Sequence, residues 1–208
     1  MIGVIVLARE VFVCKCSTDV PREDPEASDA VKRVRWTHGS EEHLSALQPE
    51  HHTAEHIVDL RTRLRRGEHW VLGLLDGNVV SYTWLHTRRA IDYPYLPGCA
   101  FETADDVGYG YDAWTPPELR GRGLRRRGFL EELNVLKAKG IRWEASFFVR
   151  HQLDGATRSL GNVGIHIVPL WRVRLERDRR LSFENLAPDD TSTRPARNES
   201  TTDPSLRP

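Results

Sequence analysis

The sequence has little cysteine, one methionine, no long apolar run and no excess of charge of either sign. Three cysteines are an odd number, and none forms a CxxC pair. Cys14 and Cys16 fall on one face of an apolar strand-like run, where an i,i+2 disulfide is geometrically poor. Cys99 stands far away in sequence. A disulfide framework is therefore excluded. The three thiols are expected to be reduced, buried small hydrophobes in a cytoplasmic protein. No stretch approaches the ~18 apolar residues that a membrane-spanning helix needs. Met1–Ala8 is apolar but no basic residue precedes it, and Glu10 follows soon after. It reads as a buried strand rather than a signal peptide. Lys and Arg number 30, and so do Asp and Glu. That balance argues against a protein that coats nucleic acid by bulk charge, but leaves room for one local basic site.

What is present fits a single globular domain. The length is 208 residues, and 39% are hydrophobic, enough for a sizeable core. The segment from Pro188 to Pro208 is polar and holds four prolines. Too little of it is apolar to offset the entropy of ordering. The expected organisation is a domain over 1–183 and a disordered polar tail over 184–208. A polar stretch from Ser17 to Lys32 reads as a long loop.

The elements alternate in type. Val11–Cys14 reads as a strand. Ser40–Leu47 suggests a short capped helix, and Pro49 opens a second helix running to Arg66, with Gly67 beyond its end. Ile57, Leu60 and Leu64 give that helix one apolar face. Trp70–Leu75 and Val79–His86 flank Asp76-Gly77, a hairpin signal because tight hairpin turns need positive φ. Val107–Thr115 reads as a strand interrupted by Gly108 and Gly110, which signals a bulge or a close backbone approach. A helix follows from Gly121 or Gly123 to Lys139, with Phe129, Leu130, Leu133 and Leu136 on its apolar face. Then come a strand over Ile141–Val149, a short helix capped by Asp154, and one or two strands over Gly164–Leu175. Strand, helix and strand around Gly140 imply a parallel crossover, while the hairpin implies antiparallel pairing. The fold class is α/β or α+β, with a mixed sheet of about six or seven strands flanked by helices.

The chemistry concentrates between Trp114 and Arg127. Here a strand ends, prolines intervene, and glycines lead into a helix whose N-terminal N–H groups lack partners. Glycines let a phosphate approach such groups closely. Five arginines lie among the eight residues 120–127 and supply charge-assisted hydrogen bonds. The segment lacks the GxxxxGK[ST] phosphate loop and the GxGxxG dinucleotide fingerprint. It suits a pyrophosphate-bearing ligand at the end of a strand; the competing reading is a plain Gly-rich turn with a solvated basic helix start.

Pro116 followed by Arg120-Gly-Arg-Gly-Leu124 resembles the acetyl-CoA loop of the GNAT superfamily of N-acyltransferases. The order of elements from about Ser40 to Leu175 is similar too. The resemblance implies a single GNAT-like domain that transfers an acetyl group from acetyl-CoA directly to a primary amine, without a metal. It implies that backbone amides over Arg120, Gly121, Arg122, Gly123, Leu124, Arg125 and Arg126 cradle the pyrophosphate, with Leu124 packed beneath the loop. Trp114 and Thr115 would pair with pantetheine like an added strand. Two positions depart from the pattern. Arg125 stands where the family has Gly or Ala. Aligning Leu160-Gly161 with the family's Leu-Gly puts His151 at its Asn position and Thr157 at the position of its Tyr acid. Thr157 is a weak proton donor, and Tyr109 and Tyr111 are possible substitutes. Asp112, within an aromatic strand, and Asp106, at its start, are the base candidates, ahead of Glu102 and Asp105.

His52 and His56 are spaced i,i+4, but no third metal ligand accompanies them. His51, His56, Tyr93 and Tyr95 are candidate acceptor contacts. The acceptor is expected to be a small-molecule or peptide amine, and homodimers are common in the family. Two other readings stay open. One is a degenerate acyl-CoA-binding or interaction protein of the same fold. The other is a nucleic-acid-binding module using the arginines of 61–66 and 120–127, against which the neutral total weighs.

Overall fold

The computed structural model describes residues 10–19, 28–48, 50–93, 99–176 and 180–196. The expected strand over Met1–Ala8, Tyr95 and the end of the polar tail lie outside them. Eleven strands and four α-helices occur among the described residues. The large sheet has eight strands in the order β10 (Leu181–Asn185), β9 (Val168–Leu175), β1 (Glu10–Ser17), β8 (Trp143–Phe148), β7 (Val107–Trp114), β4 (Asn78–His86), β3 (His69–Leu75) and β2 (Arg35–His38). A separate three-stranded sheet orders β11 (Thr193–Pro195), β6 (Ala100–Thr103) and β5 (Ala90–Asp92). The mixed α+β class is as expected, but the main sheet is wider, and a second sheet accompanies it.

One strand pair is parallel among those described: β7 and β8, joined through α3 (Leu124–Ala138). Parallel pairing sets the C-terminal ends of β7 and β8 at the same sheet edge. The N-terminus of α3 and that of α4 (Arg150–Gly161) follow those ends. The remaining pairs are antiparallel, including the β3–β4 hairpin, where Asp76 (φ 51) and Gly77 (φ 83) both take the left-handed backbone that the turn requires.

Alternation along β3 and β7 divides the core. Trp70, Leu72 and Leu74 pack with Leu60 of α2 (Ala54–Arg65), whereas Val71 packs with Leu136 of α3. On β7, Val107 and Tyr109 join the small sheet through Phe101 and Ile91. Gly108 and Gly110 face the other way. A Cβ on Gly108 would sit 2.4 Å from Leu136 Cδ2, so the glycines mark the close approach of α3. α3 and α4 share one face of the sheet with Cys16, through Leu130, Leu133 and Leu160.

Several boundaries differ from expectation. Ser40–Leu47 is a 3-10 turn over Glu41–Ala46, tightened by Ser40 Oγ against His43 Nδ1 at 2.8 Å. α2 starts at Ala54 because Thr53 Oγ1 caps the His56 amide at 3.2 Å. α4 starts at Arg150, four residues before Asp154, with the Gln152 side chain accepting from the Val149 amide. Within the stretch read as loop, Asp29–Lys32 forms a short helix, α1, capped by Ser28. The expected boundary at 183 cuts through β10, and residues 193–195 pair with β6. Lys15 holds Asp190 at this junction. The start of the polar segment is therefore built into the fold by sheet pairing and an ion pair, which composition does not register. Cys14, Cys16 and Cys99 are free and buried.

Candidate functional site

The segment after β7 forms a glycine-containing turn that leads into the start of α3, a candidate anion cradle. Pro117–Leu119 make a 3-10 turn, Arg120 Nε donates to Thr115 O at 3.1 Å, and Gly123 caps α3. Gly121 (φ 73) and Gly123 (φ 88) adopt a left-handed backbone that side-chain-bearing residues avoid. The amides at the start of α3, from Leu124 on, belong to the first helical turn, which has no acceptor within its own helix. They form the positive end of a 15-residue helix. Leu124 is buried against Val31, Val34 and Val80, and Ser28 Oγ donates to Arg122 O at 3.5 Å. The loop is thus anchored from below by its leucine and from the side by α1.

β7 opens an edge beside this cradle. It pairs with β8 only over Val107–Tyr109, while β4 pairs with it as far as Trp114. β8 runs on to Phe148, held by β1. The strands therefore part after Tyr109, and Ser146 Oγ bridges the start of the gap to Gly110 O at 3.4 Å. Asp112 (φ 48) supplies the irregularity that turns β7 away. Its Oδ2 accepts from Arg63 Nη1 at 2.5 Å, and Arg63 also holds Asp59.

Trp114 stacks on Tyr82 at a centroid distance of 5.3 Å and meets the His52 ring edge-on at 4.5 Å. The Trp114 carbonyl and the Thr115 hydroxyl both engage Ser81 Oγ, at 3.3 and 3.2 Å. His52 is buried; its Nδ1 meets Gln48 O at 3.2 Å, while its Nε2 has no hydrogen-bond partner. Burial lowers its proton affinity, so the ring is neutral at pH 7. His51 lies 3.6 Å from Glu118.

Sequence reasoning missed three carboxylates. Glu68 is buried at the start of β3, where the Tyr111 hydroxyl donates to it and Arg88 pairs with it. Glu132 and Glu144 are both buried behind Gly110. Burial, with help from the Glu132 charge, pushes the Glu144 carboxyl up to about 8. Burial also raises Glu132, against the pull of Arg125. The only sequence signal was negative: glycines at 108 and 110 announced crowding without saying by what.

The residues expected at the site separate into two groups. Trp114, Thr115, Arg120, Gly121, Arg122, Gly123, Leu124, Arg125, Arg126 and Asp112 lie together at the C-terminal end of β7. His151, exposed in the first turn of α4, lies at the same sheet edge. Asp106 does not join them. It precedes β7, with its carbonyl accepting the Arg142 and Trp143 amides at 3.0 and 3.1 Å, roughly 25 Å of strand from the loop. Thr157 is exposed midway along α4, at the edge of the stripe whose centre Leu153 and Leu160 bury. The basic runs are largely neutralised: Arg61 and Arg65 reach Glu41, Arg125 reaches Glu132, and Arg127 reaches Glu131. Among the described residues no three His, Cys, Asp or Glu side chains group as metal ligands. No helix among them is long and apolar enough to cross a membrane.

No family model and no curated protein matches the sequence. Solved structures do match the fold. A GCN5-related N-acetyltransferase from Sphaerobacter thermophilus superposes with a TM-score of 0.51 at 16% identity, over 86% of this chain and 52% of its own. This chain thus spans about half the length of that relative. An acetyltransferase from Trypanosoma brucei matches at 18% identity and TM-score 0.43, over 60% of this chain and 89% of its own. AAC(6')-Iy in complex with a bisubstrate analogue matches at 19% and 0.45, over 62% and 89%. In fold this chain is similar to the GCN5-related N-acetyltransferase from Sphaerobacter thermophilus.

Proposed function

We propose that this chain binds acetyl-CoA at the C-terminal edge of β7 and transfers its acetyl group to a primary amine. The observation that carries the reading is the combination of a helix N-terminus, led in by two left-handed glycines, with a strand edge opened beside it. The first suits a diphosphate. The second suits an extended amide-containing arm, which adds to the sheet like another strand.

In this reading the amides of residues 121–126 hold the diphosphate, with Arg120 and Arg122 flanking it. Pantetheine runs along β7 beside Trp114 and Thr115. The amine attacks the thioester carbonyl, the C–N bond forms, and the C–S bond breaks. Asp112 receives the amine proton and Arg63 positions its carboxylate. The thiolate leaves without Thr157, whose hydroxyl is exposed and weakly acidic. His51 and His56 line the acceptor side. The reaction is placed in the cytoplasm, where free thiols such as these persist, and a homodimer is the expected assembly, checked by light scattering.

The test is thiol release from acetyl-CoA in the presence of a panel of primary amines: amino sugars, polyamines, aminoglycosides and peptide N-termini. Amine-dependent release identifies the enzyme and its acceptor class. Tight acetyl-CoA binding without release from any amine would replace the enzyme by a binding protein. Salt-sensitive binding to plain DNA or RNA, with no response to acetyl-CoA, would favour the nucleic-acid reading.

A further inference from the structure

Glu132 and Glu144 have no part in the reaction above, yet they sit directly behind its cofactor loop. Arg125 connects the two places. It stands in the first turn of α3, and its Nη1 donates to Glu132 Oε1, two turns along the same helix face. The Arg125 side chain is 43% exposed, whereas the Glu132 side chain is 0% exposed. Glu132 Oε2 is buried with no hydrogen-bond partner. It converges with Glu144 Oε1 on one point: a Cβ on Gly110 would lie 2.9 Å from the first and 2.5 Å from the second. The two carboxyl groups therefore face each other across the space that glycine leaves empty.

The surroundings are short of positive charge. From β8, Ser146 gives its hydroxyl to Glu144 Oε1. From β1, the Cys16 thiol reaches Glu144 Oε2 at 3.7 Å, and Cys14 adds no charge, because burial and Glu144 raise its thiol far above neutral pH. From β4, the Thr83 hydroxyl donates to Tyr111 O at 3.3 Å and also lies within hydrogen-bonding reach of Glu132, where it adds a neutral dipole and no charge. From β7, Gly110 contributes only backbone. Among the described residues Arg125 is the one cation bonded to the pair. Two like charges in so dry a place cannot both be held by one half-exposed guanidinium, so the pair retains a proton at neutral pH.

We propose that Arg125 is shared between the Glu132–Glu144 pair and the cofactor diphosphate, so that acetyl-CoA binding is coupled to uptake of a proton by the pair. The inference rests on the acetyl-CoA reading of the loop. A guanidinium has five N–H groups in a planar fork, enough to bridge a carboxylate and a phosphate. Glu132 is a positioning residue: it holds Arg125 against the first turn of α3, where a glycine or alanine would leave bare amides. When the diphosphate arrives, part of the cation's field goes to phosphate and more negative charge stands nearby. Both changes raise the proton affinity of the pair. The sign follows: the complex keeps its proton to a higher pH than the free protein, so acetyl-CoA affinity falls as pH rises through the free pair's titration. With Glu144 at about 8, that window lies between about pH 7.5 and 9. One linked proton limits the loss to about tenfold per pH unit.

The experiment is calorimetric titration of the full chain with acetyl-CoA at pH 8, in Tris and in HEPES. These buffers differ in ionisation enthalpy, and acetyl-CoA has no free thiol to complicate the count. Wild type should take up a substantial fraction of one proton per acetyl-CoA bound. Glu132→Gln and Glu144→Gln, which keep shape, should bind acetyl-CoA with uptake near zero and a flat Kd from pH 7 to 9. Thermal melts confirm that both variants fold, and either one alone suffices. Equal heats in the two buffers for wild type, or undiminished uptake in both variants, would overturn the proton coupling alone. No binding heat at all, with no shift in melting temperature, would overturn the acetyl-CoA reading and the coupling with it.

Discussion

The two faces of β7 treat a buried carboxylate in opposite ways. On the face toward the small sheet, Tyr109 and Tyr111 stack at 5.2 Å, and Glu68 is met by both the Tyr111 hydroxyl and Arg88. On the face toward α3 there are no side chains at 108 and 110, and two carboxyls share the one half-exposed Arg125. A strand sends alternate residues to opposite sides, so four consecutive positions build both environments. The contrast shows that burial alone does not decide how a carboxylate is satisfied. The first face satisfies its acid with a cation and a hydroxyl of its own; the second leaves its acids short, and they keep a proton instead.

The strongest way to break this contrast is to fill the glycine space. Gly110→Val places methyl groups on top of Glu132 and Glu144, and should cost about 3 kcal/mol, read as a melting-temperature fall of roughly 10 °C. Arg125→Ala strands Glu132 without its cation. It should cost ~2 kcal/mol at pH 8, less than a fully buried pair because the guanidinium is half-exposed, and adding Glu132→Gln should recover most of the loss. Titration sharpens the same point. The folded protein holds a proton on Glu144 up to about pH 8, whereas the unfolded chain releases it near 4.5. Stability should therefore fall as pH rises between those values, by about 1.4 kcal/mol per pH unit at most, and the fall should shrink in Glu144→Gln. On the opposite face, Tyr111→Phe removes one donor from an acid that retains Arg88, and should cost about 1 kcal/mol. Asp112→Asn should change stability least, because the Arg63 contact lies at the surface. Its effect belongs to turnover, which should drop far more than acetyl-CoA affinity; unchanged turnover across pH would remove Asp112 as the base.

The sequence carried the local devices and missed the long-range ones. Asp76-Gly77, the Pro116 to Leu124 loop and the apolar stripe of α3 were legible because each depends on neighbours within a few residues. The parallel β7–β8 pair was legible from a strand, helix and strand in succession. The small sheet was not, because β11 is three residues long and is stabilised by β6, some 90 positions earlier. Glu132 and Glu144 were invisible for the same reason. Each reads as an ordinary polar residue in its own element, and only the packing of α3 across Gly110 brings them together. That Asp106 stands at the strand's start and Asp112 near the loop was legible too, but not that Asp106 is tied up by the Arg142 and Trp143 amides from β8's approach.

The most direct measurement of the central claim is the melting temperature of the full chain with and without acetyl-CoA, beside Gly123→Glu. At a hundredfold excess over Kd, wild type should gain roughly 5–10 °C. Gly123→Glu, which sets a carboxylate against the diphosphate, should fold and gain nothing. An equal gain in both proteins, or none in wild type, would contradict the assignment of this loop as the cofactor site.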